Sequence, residues 1–169
     1  MKKAIIISVI ALLILVAGPI FGYEYLNPSR YVIQYDVGNF KYENTESGLG
    51  CNLLNGWACT HYRSNYIFSS PTINFPVTMD VEYGFSKVTE SKVFSLLQNR
   101  DDIEQSGKGD WSRNYFYVGE KTDGSYIIAW NSGRKLVFIE SFGQVENNDF
   151  LEDLLTDYLV KYPSDISRD

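Results

Sequence analysis

The stretch Ser125–Phe142, SYIIAWNSGRKLVFIESF, contains two apolar runs separated by a short turn sequence. YIIAW and KLVFIE are rich in aromatic and β-branched residues, which favour strands, and Asn131-Ser132-Gly133 has the length and composition of a hairpin turn. Both runs are apolar on both faces, a pattern typical of strands that are covered from two sides. The stretch therefore predicts an antiparallel hairpin inside a sheet.

Further strand candidates precede this hairpin. Pro71 and Pro76 argue against a long central strand in their part of the chain, because proline cannot donate a hydrogen bond to a ladder. The Gly- and Asn-rich region that ends at Gly50 and the polar stretch Asp101–Asp110 are predicted to be loops. The strand candidates, chosen by composition between turn sequences, are Arg30–Val37, His61–Phe68, Ile73–Phe85 and Asn114–Val118.

Apolar residues at helical spacing predict two helices. The first covers Thr89–Asn99, with Thr89 or Ser91 near its start. The second covers Phe150–Tyr162, with Asn148 or Asp149 as its cap and Asp153 and Asp157 pointing away from the apolar face. That face consists of Phe150, Leu151, Leu154, Leu155, Tyr158 and Leu159.

These elements predict an α+β fold, in which an antiparallel sheet of about five or six strands carries two helices on one face. One transmembrane helix is expected before this domain. The chain then consists of a cytoplasmic tail (residues 1–3), an anchor (4–22), a short stalk (23–29) and a single extracytoplasmic domain (30–169).

The anchor prediction rests on Ala4–Gly22, which has no charged residue in 19 positions and follows Lys2 and Lys3. As a helix it would span roughly 28 Å, close to the hydrocarbon thickness of a bilayer, which is about 30 Å. The two lysines favour a cytoplasmic amino terminus and a single-pass protein of the cell membrane. A cleaved secretory signal and pilin-type processing after Lys3 are the alternatives.

The exported part of the chain is acidic. It contains 13 of the 15 basic residues and all 21 acidic residues, a net charge of −8. This charge argues against nucleic acid as a partner, because nucleic-acid binding needs concentrated positive charge. Aromatic residues make up 15% of the chain and predict either a tyrosine-rich β core or an exposed platform for sugars or peptide.

Cys51 and Cys59 are the only cysteines and bracket NLLNGWA, in which Asn55-Gly56 is a tight-turn signal. In an oxidising exterior this arrangement predicts a disulfide. One alternative makes Cys51, Cys59 and His61 zinc ligands with a carboxylate as the fourth. Another makes Cys59 and His61 a catalytic pair.

Other polar groups give weaker signals. Asp101-Asp102, and Asp80 with Glu82, could act as acid and base or bind calcium, although neither pair has an EF-hand pattern. Ser132 lacks the G-x-S-x-G context of a nucleophile, and the GKGDW segment has no flanking strand and helix to form a phosphate site. The sequence therefore assigns no catalytic, cofactor-binding or metal-binding residue, and no cofactor.

Two segments near the carboxyl terminus, WNSGRKLV at Trp130–Val137 and YLVKYPS at Tyr158–Ser164, resemble the ends of some uncharacterised, membrane-anchored archaeal proteins. The likeness covers roughly the last quarter of the chain. It suggests a shared scaffold and implies no activity.

These features predict a non-enzymatic, membrane-anchored extracytoplasmic domain that binds or scaffolds an envelope protein or glycan. The competing hypothesis is an envelope hydrolase or metal-dependent enzyme that uses Cys59, His61 and nearby acids. A pilin-like structural subunit is a third.

Overall fold

The predicted hairpin lies inside a sheet in the computed structural model, which describes residues 27–51, 53, 56–84, 87–111 and 114–163, together with Ile6 and Leu12. A short 3₁₀ helix covers Pro28–Arg30. The strands are β1 Phe40–Cys51, β2 Gly56–Ser69, β3 Asn74–Gly84, β4 Ile103–Trp111, β5 Asn114–Lys121, β6 Tyr126–Ser132 and β7 Lys135–Ser141; the helices are α1 Glu90–Gln98 and α2 Asp149–Lys161.

Strands β1 to β7 form one antiparallel sheet in the order β1-β2-β3-β7-β6-β5-β4. The fold is α+β, but the prediction of five or six strands is wrong, because the sheet has seven. The two strands that the sequence predicted as loops, β1 and β4, are its two edges. Most of the side chains of β1 are exposed or half-buried, so its sequence lacks apolar alternation, and its pairing with β2 supplies the strand.

The predicted strand at Arg30–Val37 is also wrong. After the 3₁₀ helix the chain runs irregularly through the core, where Tyr31, Val32 and Ile33 are all buried. Two tyrosines satisfy its carbonyl groups: the hydroxyl of Tyr66 donates to the Ile33 carbonyl at 2.5 Å, and that of Tyr162 to the Val32 carbonyl at 2.8 Å. Three successive buried side chains match a segment enclosed on all sides better than a strand.

The expectation that Pro71 and Pro76 exclude a long central strand is wrong. Strand β3 is 11 residues long and lies between β2 and β7, although Pro76 is its third residue. Its pairing with β7 begins only at Val77, and the Pro76 carbonyl accepts a hydrogen bond from the Phe142 amide at 3.0 Å. The Pro76 nitrogen, which has no N–H to donate, therefore faces the end of β7, where the ladder does not require a donor.

The two helices lie on opposite faces of the sheet, and the expectation that they share one face is wrong. Alternate residues of β6 belong to two separate cores, Ile127 and Ala129 to one and Ile128 and Trp130 to the other. Helix α1 buries Val93 and Leu97 in the first core, and helix α2 covers the second. Both faces of the hairpin are apolar, as the sequence indicated, so each face needs a helix packed on it.

Both predicted helices are confirmed with small shifts of their ends. Helix α1 begins after Thr89, whose hydroxyl accepts a hydrogen bond from the Lys92 amide at 3.3 Å as an N-cap does. Helix α2 begins after Asn148, whose side chain donates to the Glu152 carboxylate at 2.6 Å and does not cap the helix. The residues of α2 that are buried against the sheet are Leu151, Leu154, Leu155, Tyr158 and Leu159.

The predicted anchor at Ala4–Gly22 and most of the stalk lie outside the described residues, apart from Ile6 and Leu12. Among the residues that the structure does describe, no helix is both long enough and apolar enough to cross a bilayer.

We expect Leu155→Ala to lower the free energy of unfolding by about 2–5 kcal/mol, because the side chain is 2% exposed and its removal leaves a cavity under α2. Val160→Ala, on the exposed side of the same helix, should change it by less than about 0.5 kcal/mol. Urea unfolding of the two variants measures both values. Equal losses would contradict the docking of α2 on the sheet.

Candidate functional site

The disulfide between Cys51 and Cys59 is confirmed, with an S–S distance of 2.05 Å and a Cα–Cα distance of 5.8 Å. It links the end of β1 to β2 across a hairpin in which Cys51 pairs with Gly56. The predicted turn residue Asn55 lies outside the described residues. Since the chain has only these two cysteines, the disulfide leaves no thiolate to serve as a nucleophile or a zinc ligand.

His61, Arg63 and Asp80 form a charge cluster across β2 and β3, on the face of the sheet opposite α2. The Asp80 carboxylate accepts hydrogen bonds from His61 Nε2 at 2.8 Å, from Arg63 Nε at 2.7 Å and from Arg63 Nη2 at 3.1 Å. Arg63 pairs directly with Asp80 in the ladder, whereas His61 pairs with Glu82 and reaches Asp80 diagonally. The sequence singled out His61, Asp80 and Glu82 but not Arg63, which completes the cluster.

This cluster changes the titration of its members. The hydrogen bond to Asp80 raises the pKa of His61 by more than burial lowers it. Burial raises the pKa of Asp80, but the hydrogen bonds from His61 and Arg63 outweigh it, and the net shift is downward. Both shifts favour the charged forms, so the cluster holds an ion pair in place.

The remaining sequence candidates have structural roles. The Glu82 carboxylate accepts a hydrogen bond from the Leu53 amide at 3.0 Å, which fixes the loop before β2. Ser132 is buried where the β6–β7 hairpin turns, and the GKGDW segment lies in β4. In the part of the chain that the structure describes, no group of three or more His, Cys, Asp or Glu side chains could hold a metal ion.

Asp102 belongs to a second charge cluster. The Arg100 guanidinium contacts the Asp102 carboxylate at 2.7 Å and the Glu140 carboxylate at 3.0 Å, and Lys121 Nζ contacts Glu140 at 2.8 Å. Hydrogen bonding from Arg100 lowers the pKa of Asp102. The pair Asp101-Asp102 therefore does not act as one site, because Asp102 is committed to Arg100 while Asp101 is exposed.

An open groove of about 850 Å³ lies on the α2 side, beyond the ends of the strands. Its walls are the turn before β1, the loop between β2 and β3, the segment before α2 and the first part of α2 itself. Aromatic rings form its floor: the ring centroids of Phe68 and Phe150 are 4.9 Å apart, and those of Phe40 and Phe68 are 5.1 Å apart. Ile73, on the wall, is 42% exposed.

The charges on this groove all have one sign. Among the described residues, its lining includes four exposed carboxylates and no basic residue. Three of them form a stripe on α2 at intervals of four residues, and like charges at this spacing destabilise a helix by about 0.2–0.5 kcal/mol per pair. The nearest basic residue along α2 is Lys161, whose Nζ lies 4.4 Å from the centre of the Tyr35 ring. The four lining acids are Glu146, Asp149, Asp153 and Asp157.

These four carboxylates form no ion pair with any residue that the structure describes. On the same helix, burial raises the pKa of Glu152, the hydrogen bond from Asn148 lowers it, and the charges of Asp149 and Asp153 raise it further. The sequence predicted that Asp153 and Asp157 point away from the core, and they do. It could not show that two distant loops converge beside them.

No protein-family model matches the chain, and no curated protein or solved structure is significantly similar to it. The two segments that suggested a likeness to membrane-anchored archaeal proteins have structural roles. Trp130–Val137 forms the end of β6, the turn and the start of β7, and Tyr158–Pro163 forms the end of α2 and the residues that stop it. Function is therefore inferred from the groove and the charge clusters.

We expect His61→Gln to lower the free energy of unfolding by about 1–2 kcal/mol near pH 5 and by less at both pH extremes. His61 has a raised pKa in the folded state, so its contribution is complete below about pH 6.5 and is lost as the pH rises through that raised pKa. Asp80 has a lowered pKa, so its contribution is complete above about pH 4 and is lost as the pH falls through that lowered value.

Urea unfolding between pH 3.5 and 9 measures this profile. Arg63→Gln is the matched control, because it removes a partner of Asp80 that does not titrate in this range and should preserve the loss of stability above pH 6.5. If His61→Gln and the parent show parallel profiles from pH 5 to pH 9, the assignment to His61 is wrong.

Proposed function

We propose that this protein is a membrane-tethered, extracytoplasmic binding domain of the cell envelope, which holds part of a partner protein in the groove beside α2. The groove carries the proposal: it combines a volume of about 850 Å³, an aromatic floor and exposed carboxylates that have no counter-ion among the described residues. Concave surfaces that join apolar lining to a few placed charges are the usual form of a binding site.

Two features support the location. The 19 uncharged residues of Ala4–Gly22 behind two lysines favour a span with the remainder of the chain outside. The disulfide between Cys51 and Cys59 is typical of proteins that fold in an oxidising compartment.

The cysteine and histidine side chains are already bonded to other groups of the protein, which favours a binding function over a catalytic one. The two sulfur atoms are joined to each other, and His61 is hydrogen bonded to Asp80, which Arg63 also holds. Neither the disulfide nor the cluster of His61, Arg63 and Asp80 belongs to the lining of the groove.

The exposure of the groove floor favours a protein partner over a glycan. Sugar-binding sites stack their ligand on open aromatic faces. Phe40 is only 3% exposed, Phe68 only 8%, and Phe150 is half-buried, so the floor offers only part of one ring for stacking. The charged groups exposed in the described lining are all carboxylates, which suit a charged polypeptide better.

The tether is tested by adding protease to the outer side of intact cells, where we expect the domain to be degraded. Protection in intact cells and degradation only after permeabilisation would contradict the orientation. Recovery of a soluble mature form that begins near Tyr23 would contradict the anchor while leaving export intact.

Binding in the groove is tested by placing a photo-reactive residue at Thr72 or Asn147, two exposed lining positions, in the membranes of cells that make the protein. We expect a protein adduct from both positions. The matched control is Asn99, an exposed residue at the end of α1 on the opposite face of the sheet, which should not give this adduct. No adduct from the groove positions, or the same adduct from all three, would contradict the proposed function.

A further inference from the structure

We propose that the segment held in the groove is an extended cationic polypeptide with lysine or arginine at alternate positions. This inference rests on the proposed function, since it names the chemistry of the partner that the groove receives.

The charge of the groove selects a cation. Its four carboxylates are exposed, and among the described residues no basic side chain lines the groove and none of the four carboxylates is paired. The neighbouring Lys161 lies over the Tyr35 ring. A cationic partner therefore meets carboxylates that it does not have to separate from an existing counter-ion.

The spacing of the charges selects an extended chain. Asp149, Asp153 and Asp157 follow one another at intervals of four helical residues, which is about 6 Å per step at 1.5 Å per residue. In an extended chain, alternate residues point to the same side and lie about 6.6 Å apart. Three alternate basic side chains thus match the three carboxylates to within roughly 1 Å over the length of the stripe.

The apolar groups of the groove accept the rest of such a segment. Residues between the basic positions point to the other side of an extended chain, toward the loop that carries Ile73. Ile73 is 42% exposed, and the Phe150 ring beside the stripe is half-buried. These surfaces can pack against small apolar side chains and against the aliphatic stems of lysine or arginine.

A single metal ion does not suit the same carboxylates. Calcium takes six to eight oxygen ligands at about 2.3–2.6 Å, which requires several carboxylates to converge on one point. Here they are distributed along a helix, and no group of three acids able to hold a metal ion occurs among the residues described. The distribution favours a ligand with several separated charges.

The test uses the full-length protein in a non-ionic detergent and a fluorescein-labelled decapeptide of alternating lysine and valine, with binding measured by fluorescence anisotropy at low salt. We expect saturable binding that weakens about tenfold in the triple variant Asp149→Asn, Asp153→Asn, Asp157→Asn. The matched control neutralises three exposed acids outside the groove, Glu43→Gln, Asp101→Asn and Glu104→Gln, and should change the affinity less than twofold. Equal weakening by the two triple variants would overturn the proposal.

The peptide also tests the spacing. A decapeptide with five consecutive lysines followed by five valines has the same composition, and we expect it to bind at least threefold more weakly. Equal binding of the two peptides would show that only net charge matters and would overturn the extended register. Spermine at the same total charge should not displace the alternating peptide, and full displacement would reassign the groove to small polyamines.

A second variant keeps the test independent of the stability of α2. Ile73→Ser should weaken peptide binding, whereas Leu49→Ser, at a residue 73% exposed outside the groove, should not. If the alternating peptide does not bind while Thr72 and Asn147 still give their adduct, the cationic segment is wrong and the proposed function stands. If the groove positions also give no adduct, the proposed function fails as well.

Discussion

Strands β6 and β7 present apolar side chains to both sides, and each side needs its own cover. Trp130, Val137 and Ile139 face α2, while Leu136 and Phe138 face α1. At about 25 cal/mol per Å² of apolar surface removed from water, leaving either face open would forfeit several kcal/mol, comparable to the whole stability of a small domain. The hairpin therefore dictates a three-layer arrangement, and the outer strands extend the sheet that it begins.

Helix α1 is short and covers only part of its face of the sheet, which explains the charge clusters there. Helix α1 has nine residues, about 13 Å, and packs over β4, β5 and β6. On the same face, β2 and β3 carry the cluster of His61, Arg63 and Asp80 in place of an apolar core. Polar side chains can be accommodated there because His61 and Arg63 both hydrogen bond to Asp80 across the ladder. The same pairing keeps these groups from acting as a free acid and base.

The groove follows from the way α2 is attached. The helix docks across the sheet through its leucine stripe, so its opposite acidic side runs along the loops at the strand ends. The loop between β2 and β3 and the turn before β1 meet there only because β1, β2 and β3 are neighbours in the sheet. A surface feature of a single helix thus becomes one wall of a concave site.

The sequence by itself determined both helices, the central hairpin and the cysteine pair. Each depends on local periodicity, on turn composition or on the fact that the chain has only two cysteines. It missed β1 and β4, since edge strands without apolar alternation are defined by the backbone partner that they find. It also misjudged Pro76 and Arg30–Val37, whose conformations depend on where β7 ends and on the carbonyl partners Tyr66 and Tyr162. Only the tertiary structure decided that the helices lie on opposite faces, that Arg63 joins His61 and Asp80, and that the acids of α2 line a groove. Each of these depends on strand register and on contacts between residues far apart in the chain, which no local pattern encodes.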